Sequence, residues 1–106
     1  MSIWMQSTLE LRAGGDQARF VEAMKELVSI VEGEGWLLVT AFQQMTGRLH
    51  TAVDIWKLPD MEAFGRGLAA LRGSERFPEI AKVLADSIER ETVVLGATAA
   101  WVPEGR

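Results

Sequence analysis

The side chains best suited to chemistry lie on two predicted strands. His50, Asp54 and Trp56 fall on one face of a strand predicted over residues 49–58, because alternate residues of a strand share a face. Arg12 ends a strand predicted over residues 3–12. An imidazole, a carboxylate, a guanidinium and a large ring are groups that could bind and orient a small molecule. These four residues form our candidate ligand-binding pocket.

We predict that Asp54 is paired with Arg12 inside the protein and that Trp56 borders the same space. A buried carboxylate needs a partner, and a guanidinium supplies one in a paired geometry. A purely structural ion pair is the alternative interpretation of Asp54. For His50 the alternative is a solvent-exposed side chain, because it lies next to a hairpin.

A metal site is not expected. The chain has one histidine and no cysteine. Four residues along a strand place the Cα atoms of His50 and Asp54 about 13 Å apart, whereas a shared ion needs donors within about 2–2.6 Å. Disulfides, thiolate nucleophiles and iron–sulfur ligation are excluded for the same lack of cysteine. We therefore expect neither a metal nor another cofactor.

Composition limits the class of protein and its partners. A length of 106 residues, 48% of them hydrophobic and 25% charged, predicts one folded domain over residues 1–106. The net charge is -4, and no basic cluster favours nucleic acid. No apolar run approaches the roughly 20 residues of a membrane span, and no signal peptide is evident. The lack of cysteine fits the cytoplasm, which we predict as the location.

Hydrophobic periodicity predicts four strands and three helices. The strands cover residues 3–12, 36–45, 49–58 and 91–102, by their alternation and their content of branched and aromatic residues. Asp16 is predicted to cap a first helix that Gly33 ends, and Asp60 a second that Gly73 ends. Ser74 is predicted to cap a third helix with Ile88 on its buried face.

The order β-α-β-β-α-α-β predicts an α+β, ferredoxin-like fold: a four-stranded antiparallel sheet with every helix on one face. The other face would then be open. Strand 36–45 is apolar on both faces and strand 91–102 nearly so, which is unusual for a sheet that faces water. We therefore predict a homodimer that joins the open faces of two copies, since exposed apolar area drives association.

Several short segments resemble the NIPSNAP-like family. They are Thr8–Arg12, Phe20–Met24, Val53–Ala63 and Arg76–Ile80, and the likeness extends over roughly residues 7–95. It implies the dimeric α/β-barrel superfamily, which also holds cofactor-independent monooxygenases of antibiotic biosynthesis, muconolactone-isomerase-like proteins and haem-degrading enzymes. Asp54 stands where the family commonly has a histidine, so chemistry that depends on that histidine is not implied.

Two hypotheses follow. The first is a homodimeric NIPSNAP-like domain that binds a small apolar molecule or a partner. The second is a cofactor-independent monooxygenase or isomerase that uses the same barrel cavity. An enzyme of that kind needs a general base beside an apolar pocket, and the strands offer only His50, Asp54 and Glu10. This shortage favours the first hypothesis.

Overall fold

The computed structural model describes residues 2–106 and contains four strands and three helices within that range. In chain order they are β1 (Ile3–Leu11), α1 (Gln17–Glu32), β2 (Leu37–Gln43), β3 (Thr51–Leu58), α2 (Met61–Gly73), α3 (Phe77–Ser87) and β4 (Ile88–Ala97). The strands form one sheet in the order β2-β3-β1-β4, and every neighbouring pair is antiparallel. The predicted ferredoxin-like α+β fold is confirmed.

The predicted caps of the first two helices are confirmed, and the predicted Ser74 cap of the third is wrong. A carboxylate oxygen of Asp16 accepts a hydrogen bond from the backbone N–H of Arg19 at 3.1 Å, and Asp60 does the same for Ala63 at 2.8 Å. Each cap satisfies a backbone donor that has no partner within its helix. Ser74 lies in the turn before α3, whose N-cap residue is Arg76. The Ser74 hydroxyl accepts instead from the backbone N–H of Arg76.

Alternation along β1 separates two faces of the sheet. Ile3, Met5, Ser7 and Leu9 are buried beneath the helices, on what we call the covered face. Trp4, Gln6, Thr8 and Glu10 point the other way, onto what we call the open face. The register sets Ser7 opposite Asp54 and Met5 opposite Trp56, so the two β3 side chains also lie on the covered face. Their predicted sharing of a face is confirmed.

The core is centred on aromatic rings at the β2–β3 side of the covered face. Trp36 meets Trp56 edge to face with ring centroids 5.4 Å apart, and it stacks on Phe64 at 5.8 Å. We call these three residues the aromatic cluster. Both geometries are favourable for aromatic pairs. The cluster joins the residue that precedes β2 to β3 and α2.

Three predicted details of the strands are wrong. Uninterrupted alternation over residues 36–45 predicts that Leu38 and Phe42 share a face, but a bulge at Val39 shifts the pairing between Leu38 and Thr40 and puts Phe42 on the open face. His50 precedes β3 in a left-handed conformation with φ 60° and does not share the face of Asp54. Ile88 begins β4 rather than ending α3, and β4 stops at Ala97.

Within residues 2–106, no helix is both long and apolar enough to span a membrane.

Candidate functional site

A cavity of about 200 Å³ lies between the covered face and the three helices. The polar side chains of its lining, Ser7, Asp54 and Glu91, all lie on strands, and the helices contribute only apolar side chains. Those from the helices are Met24, Leu27, Val31, Phe64, Leu68, Leu71 and Leu84. Apolar walls with a few polar groups are typical of small-molecule sites. We call this space the covered-face cavity.

Asp54 is the buried carboxyl group of the covered-face cavity. The residue is only 6% exposed, and among residues 2–106 no hydrogen bond or ion pair engages its carboxyl group. Burial, and secondarily the charge of Glu91, raises the pKa of Asp54 from 3.8 to about 6. Burial disfavours the charged form of an acid, and a like charge adds to the effect. Near neutral pH this carboxyl can therefore accept a proton or release one.

The aromatic cluster forms the closed end of the cavity. The Nε1–H of Trp36 donates a hydrogen bond to the backbone carbonyl of Ala63, with a nitrogen–oxygen distance of 2.6 Å. Helix α2 passes directly against this ring at Gly67, where a Cβ atom would collide with Nε1, Cε2 and Cζ2 of Trp36. The absence of a side chain at Gly67 is thus a condition of the close approach. The hydrogen bond and the packing hold the Trp36 ring in place.

The opposite end of the cavity is open to solvent at β4. Glu91 and Val93 line the cavity and lie on the covered face, yet both residues are exposed. The helices therefore cover this part of β4 only partly. Leu9 lies opposite Glu91 across the β1–β4 ladder, which places Glu91 on the covered face near the mouth. A molecule entering at β4 would pass Glu91 before it reached Asp54.

The predicted pair between Arg12 and Asp54 is wrong. The β1–β3 ladder sets Ser7 opposite Asp54, whereas Arg12 lies beyond the end of β1, five residues farther along the chain. No ion pair between described residues joins the two side chains. The sequence predicts that β1 and β3 are adjacent, but it does not give the register between them. The register decides which residues of the two strands lie opposite each other.

The four residues of the predicted pocket separate into two pairs. Asp54 and Trp56 line the covered-face cavity. Arg12 and His50 instead line a second, open depression of about 230 Å³ at the start of α1, together with Gln43 and Ser87. His50 is exposed, in agreement with its alternative interpretation. Within residues 2–106, no group of three or more potential metal ligands is gathered.

Glu91 is the site residue that the sequence analysis missed. It is the first residue of the strand predicted over residues 91–102. The signal was nevertheless present, because alternation from Val93 puts Glu91 on the same strand face. Alternation alone does not indicate which face of that strand the helices cover.

Comparison with solved structures identifies close relatives in fold. A NIPSNAP domain protein from Burkholderia xenovorans superposes with a TM-score of 0.76 at 19% identity, covering 98% of this chain and 100% of its own. A NIPSNAP family protein from Agrobacterium tumefaciens gives 0.80 at 15% identity, covering 98% and 99%. SnoaB, a cofactor-independent oxygenase from Streptomyces nogalater, gives 0.73 at 17% identity, covering 97% and 98%.

These likenesses concern the fold. No protein-family model matches the chain. No curated protein matches it at the level of sequence. At identities below 20%, similarity of structure does not carry an activity from one protein to another. The resemblance to NIPSNAP-like proteins is confirmed as a shared fold.

Proposed function

We propose that this chain is a homodimeric NIPSNAP-like domain that binds a small, mostly apolar molecule in the covered-face cavity. The single observation that carries the ligand proposal is Asp54, a buried carboxyl that has no partner within residues 2–106 and lines a cavity whose other walls are mostly apolar. An unpaired polar group inside a protein is costly, and such costs are retained where a ligand uses the group. We place the domain in the cytoplasm, which suits a chain without cysteine.

The size of the cavity limits the ligand. An apolar cavity of about 150 Å³ is known to admit benzene, and drug-sized ligands occupy about 300 Å³ or more. The covered-face cavity, at about 200 Å³, lies between these values. It therefore suits a molecule with one ring or a short branched chain and one polar group directed at Asp54.

The open face supports the proposed dimer. Leu37, Phe42 and Val94 are each more than half exposed, and the register puts all three on this face. Trp4 also lies here, with its Nε1–H donating to the Thr98 hydroxyl and Lys57 over its ring. Exposed apolar side chains on a sheet face favour association, and a second copy offers the same face across a twofold axis.

Toluene binding tests the cavity. We expect toluene to shift the indole N–H signals of Trp36 and Trp56 in nuclear magnetic resonance spectra, because both rings line the cavity. The signals of Trp4 and Trp101 are internal controls, since these rings lie elsewhere. Leu84→Phe narrows the cavity and should abolish the shifts, while Val21→Phe on the outer side of α1 should preserve them. Equal shifts of all four signals would contradict the proposal.

Sedimentation tests the dimer. We expect a dimer at micromolar concentration, and we expect Val94→Lys to convert it to monomer because each copy would then place a charge in the apolar interface. Val21→Lys replaces an exposed valine on α1 and should leave the dimer intact. A wild-type monomer, or equal dissociation by both variants, would show that the open face is not the interface.

Asp54 also favours a second candidate function, that of a cofactor-independent oxygenase or isomerase. A carboxyl group with a pKa of about 6 beside an apolar cavity has the properties of a general base that works near neutral pH. If so, oxygen uptake with a panel of hydroquinones should rise as pH passes through about 6 and disappear in Asp54→Asn. Absence of uptake with wild-type protein across the panel would leave binding as the favoured function.

A further inference from the structure

We propose that the ligand of the covered-face cavity is a small amine, held with its apolar body among the helices and its ammonium group between Asp54 and Glu91. This inference rests on the proposed ligand-binding function and specifies the class of ligand. It depends on the charges that line the cavity and on the position of Asp54 within it.

Every charged side chain that lines the cavity is acidic. Asp54 lies at depth on β3, Glu91 lies near the mouth on β4, and none of the described lining residues is a lysine, arginine or histidine. The helices present apolar side chains to Asp54, and β1 presents the hydroxyl of Ser7. A carboxylate ligand would therefore meet two acids with no cation to offset them. An ammonium group would supply the charge that the site lacks.

Asp54 is the observation that points to a ligand rather than to a chance cluster of acids. The residue is buried, its carboxyl group has no ion-pair partner within residues 2–106, and it lines the cavity. Glu91 is near enough for its charge to oppose ionisation of Asp54. A cation between two carboxyl groups converts this repulsion into two charge-assisted contacts.

The rings of the aromatic cluster fit the same ligand class. Trp36 and Trp56 line the cavity beside Asp54. The faces of tryptophan rings attract ammonium groups, and the attraction increases where water is excluded. Cavity size then favours an amine of roughly eight non-hydrogen atoms, scaled from the benzene-sized cavity of about 150 Å³.

Three probes that share a carbon skeleton test the amine: 2-phenylethylamine, 2-phenylethanol and phenylacetate. By calorimetry at about pH 7.5 we expect the amine to bind about tenfold or more tightly than the alcohol, and phenylacetate to bind not at all. Affinity for the amine should rise as pH passes through about 6 and Asp54 ionises, while affinity for the alcohol should stay nearly constant.

Variants locate the charge that selects the amine. Asp54→Asn should weaken amine binding about tenfold, abolish its pH dependence and leave alcohol binding unchanged. Glu91→Gln should weaken amine binding less, because Glu91 is exposed. Glu75→Gln makes the same change in net charge away from the cavity and should have no effect.

The outcomes separate this inference from the proposed function. If the alcohol or phenylacetate binds as well as the amine, the cavity is a ligand site but the amine inference is wrong. If the amine binds equally to wild type and Asp54→Asn, its ammonium group lies elsewhere and the inference is also wrong. If none of the three probes binds and toluene also fails to shift Trp36 and Trp56, the proposed function itself fails.

Discussion

Asp54 and Glu10 are carboxylates on opposite faces of one sheet, and their surroundings differ. Glu10, on the open face, has a side chain 14% exposed and contacts Arg48 at 2.6 Å and Arg90 at 3.8 Å. Asp54, on the covered face, has no ion-pair partner among residues 2–106 and has a raised pKa. Glu10 is stabilised within the chain itself, whereas Asp54 lacks such compensation. The comparison distinguishes an acid that contributes to structure from one available to a ligand.

The largest expected effect tests how tightly the covered face is packed. Gly67→Ala places a methyl group against the indole of Trp36, a ring fixed by its hydrogen bond to Ala63 and by its neighbours. We expect a loss of about 3 kcal/mol in the free energy of unfolding, at the upper end of overpacking costs. Denaturant titration measures it.

Gly65→Ala is the matched control for that substitution. A Cβ atom at Gly65 meets no other atom within 4 Å, so the gain in helix propensity should stabilise by up to about 1 kcal/mol. Equal effects of the two substitutions would show that α2 does not approach Trp36 closely, and that the cavity is less well bounded at this end.

The next effect concerns Asp54 itself. Its folded pKa of about 6 lies above the ordinary value of 3.8, so the protonated form favours folding. This contribution is fully present below about pH 4 and is lost as pH rises through about 6. A difference of about two between the folded and unfolded pKa values corresponds to at most about 3 kcal/mol, and contact of the carboxyl with solvent lowers this figure. Denaturant titration of wild type and Asp54→Asn should therefore give free energies that diverge by up to this amount between about pH 4 and pH 8, in favour of the variant.

A free-energy difference between these two proteins that stays constant across the pH range would contradict the description of Asp54 as buried and unpaired. Glu10→Gln is the control on the open face. Measured over the same pH range, it separates the effect of Asp54 from the general response of surface carboxylates to acid.

These two faces also show how far the sequence could be used for prediction. Element order, the Asp16 and Asp60 caps and the shared face of Asp54 and Trp56 follow from local patterns. The Arg12–Asp54 pair failed because alternation along each strand does not contain the register between strands. Ile88 was misassigned since it fits both the apolar stripe of α3 and the alternation of β4.

Thr51 gives a smaller effect on the open face. It is buried opposite Glu10, and its hydroxyl oxygen has no hydrogen-bond partner among the residues described. Thr51→Val keeps the shape and the preference for strand structure while removing the unsatisfied group. We expect a gain of about 1 kcal/mol by thermal or denaturant unfolding. Ser7→Ala on the covered face is the comparison, and a loss of stability in Thr51→Val would show that the hydroxyl has a partner.

The smallest expected effect concerns the two ion pairs of Glu10, which we expect to behave as surface ion pairs. The side chains of Arg48 and Arg90 are 63% and 72% exposed, so solvent screens both contacts. Glu10→Gln should cost about 0.5–1 kcal/mol at low ionic strength and almost nothing in about 1 M salt, where the Debye length falls to about 3 Å. Glu22→Gln, which removes the exposed pair with Lys25, is the control and should cost less at low salt.

The Asp54 effect should persist in high salt because it arises mainly from burial. If the cost of Glu10→Gln also persists, water does not reach Glu10, and the two carboxylates are more alike than their surroundings indicate.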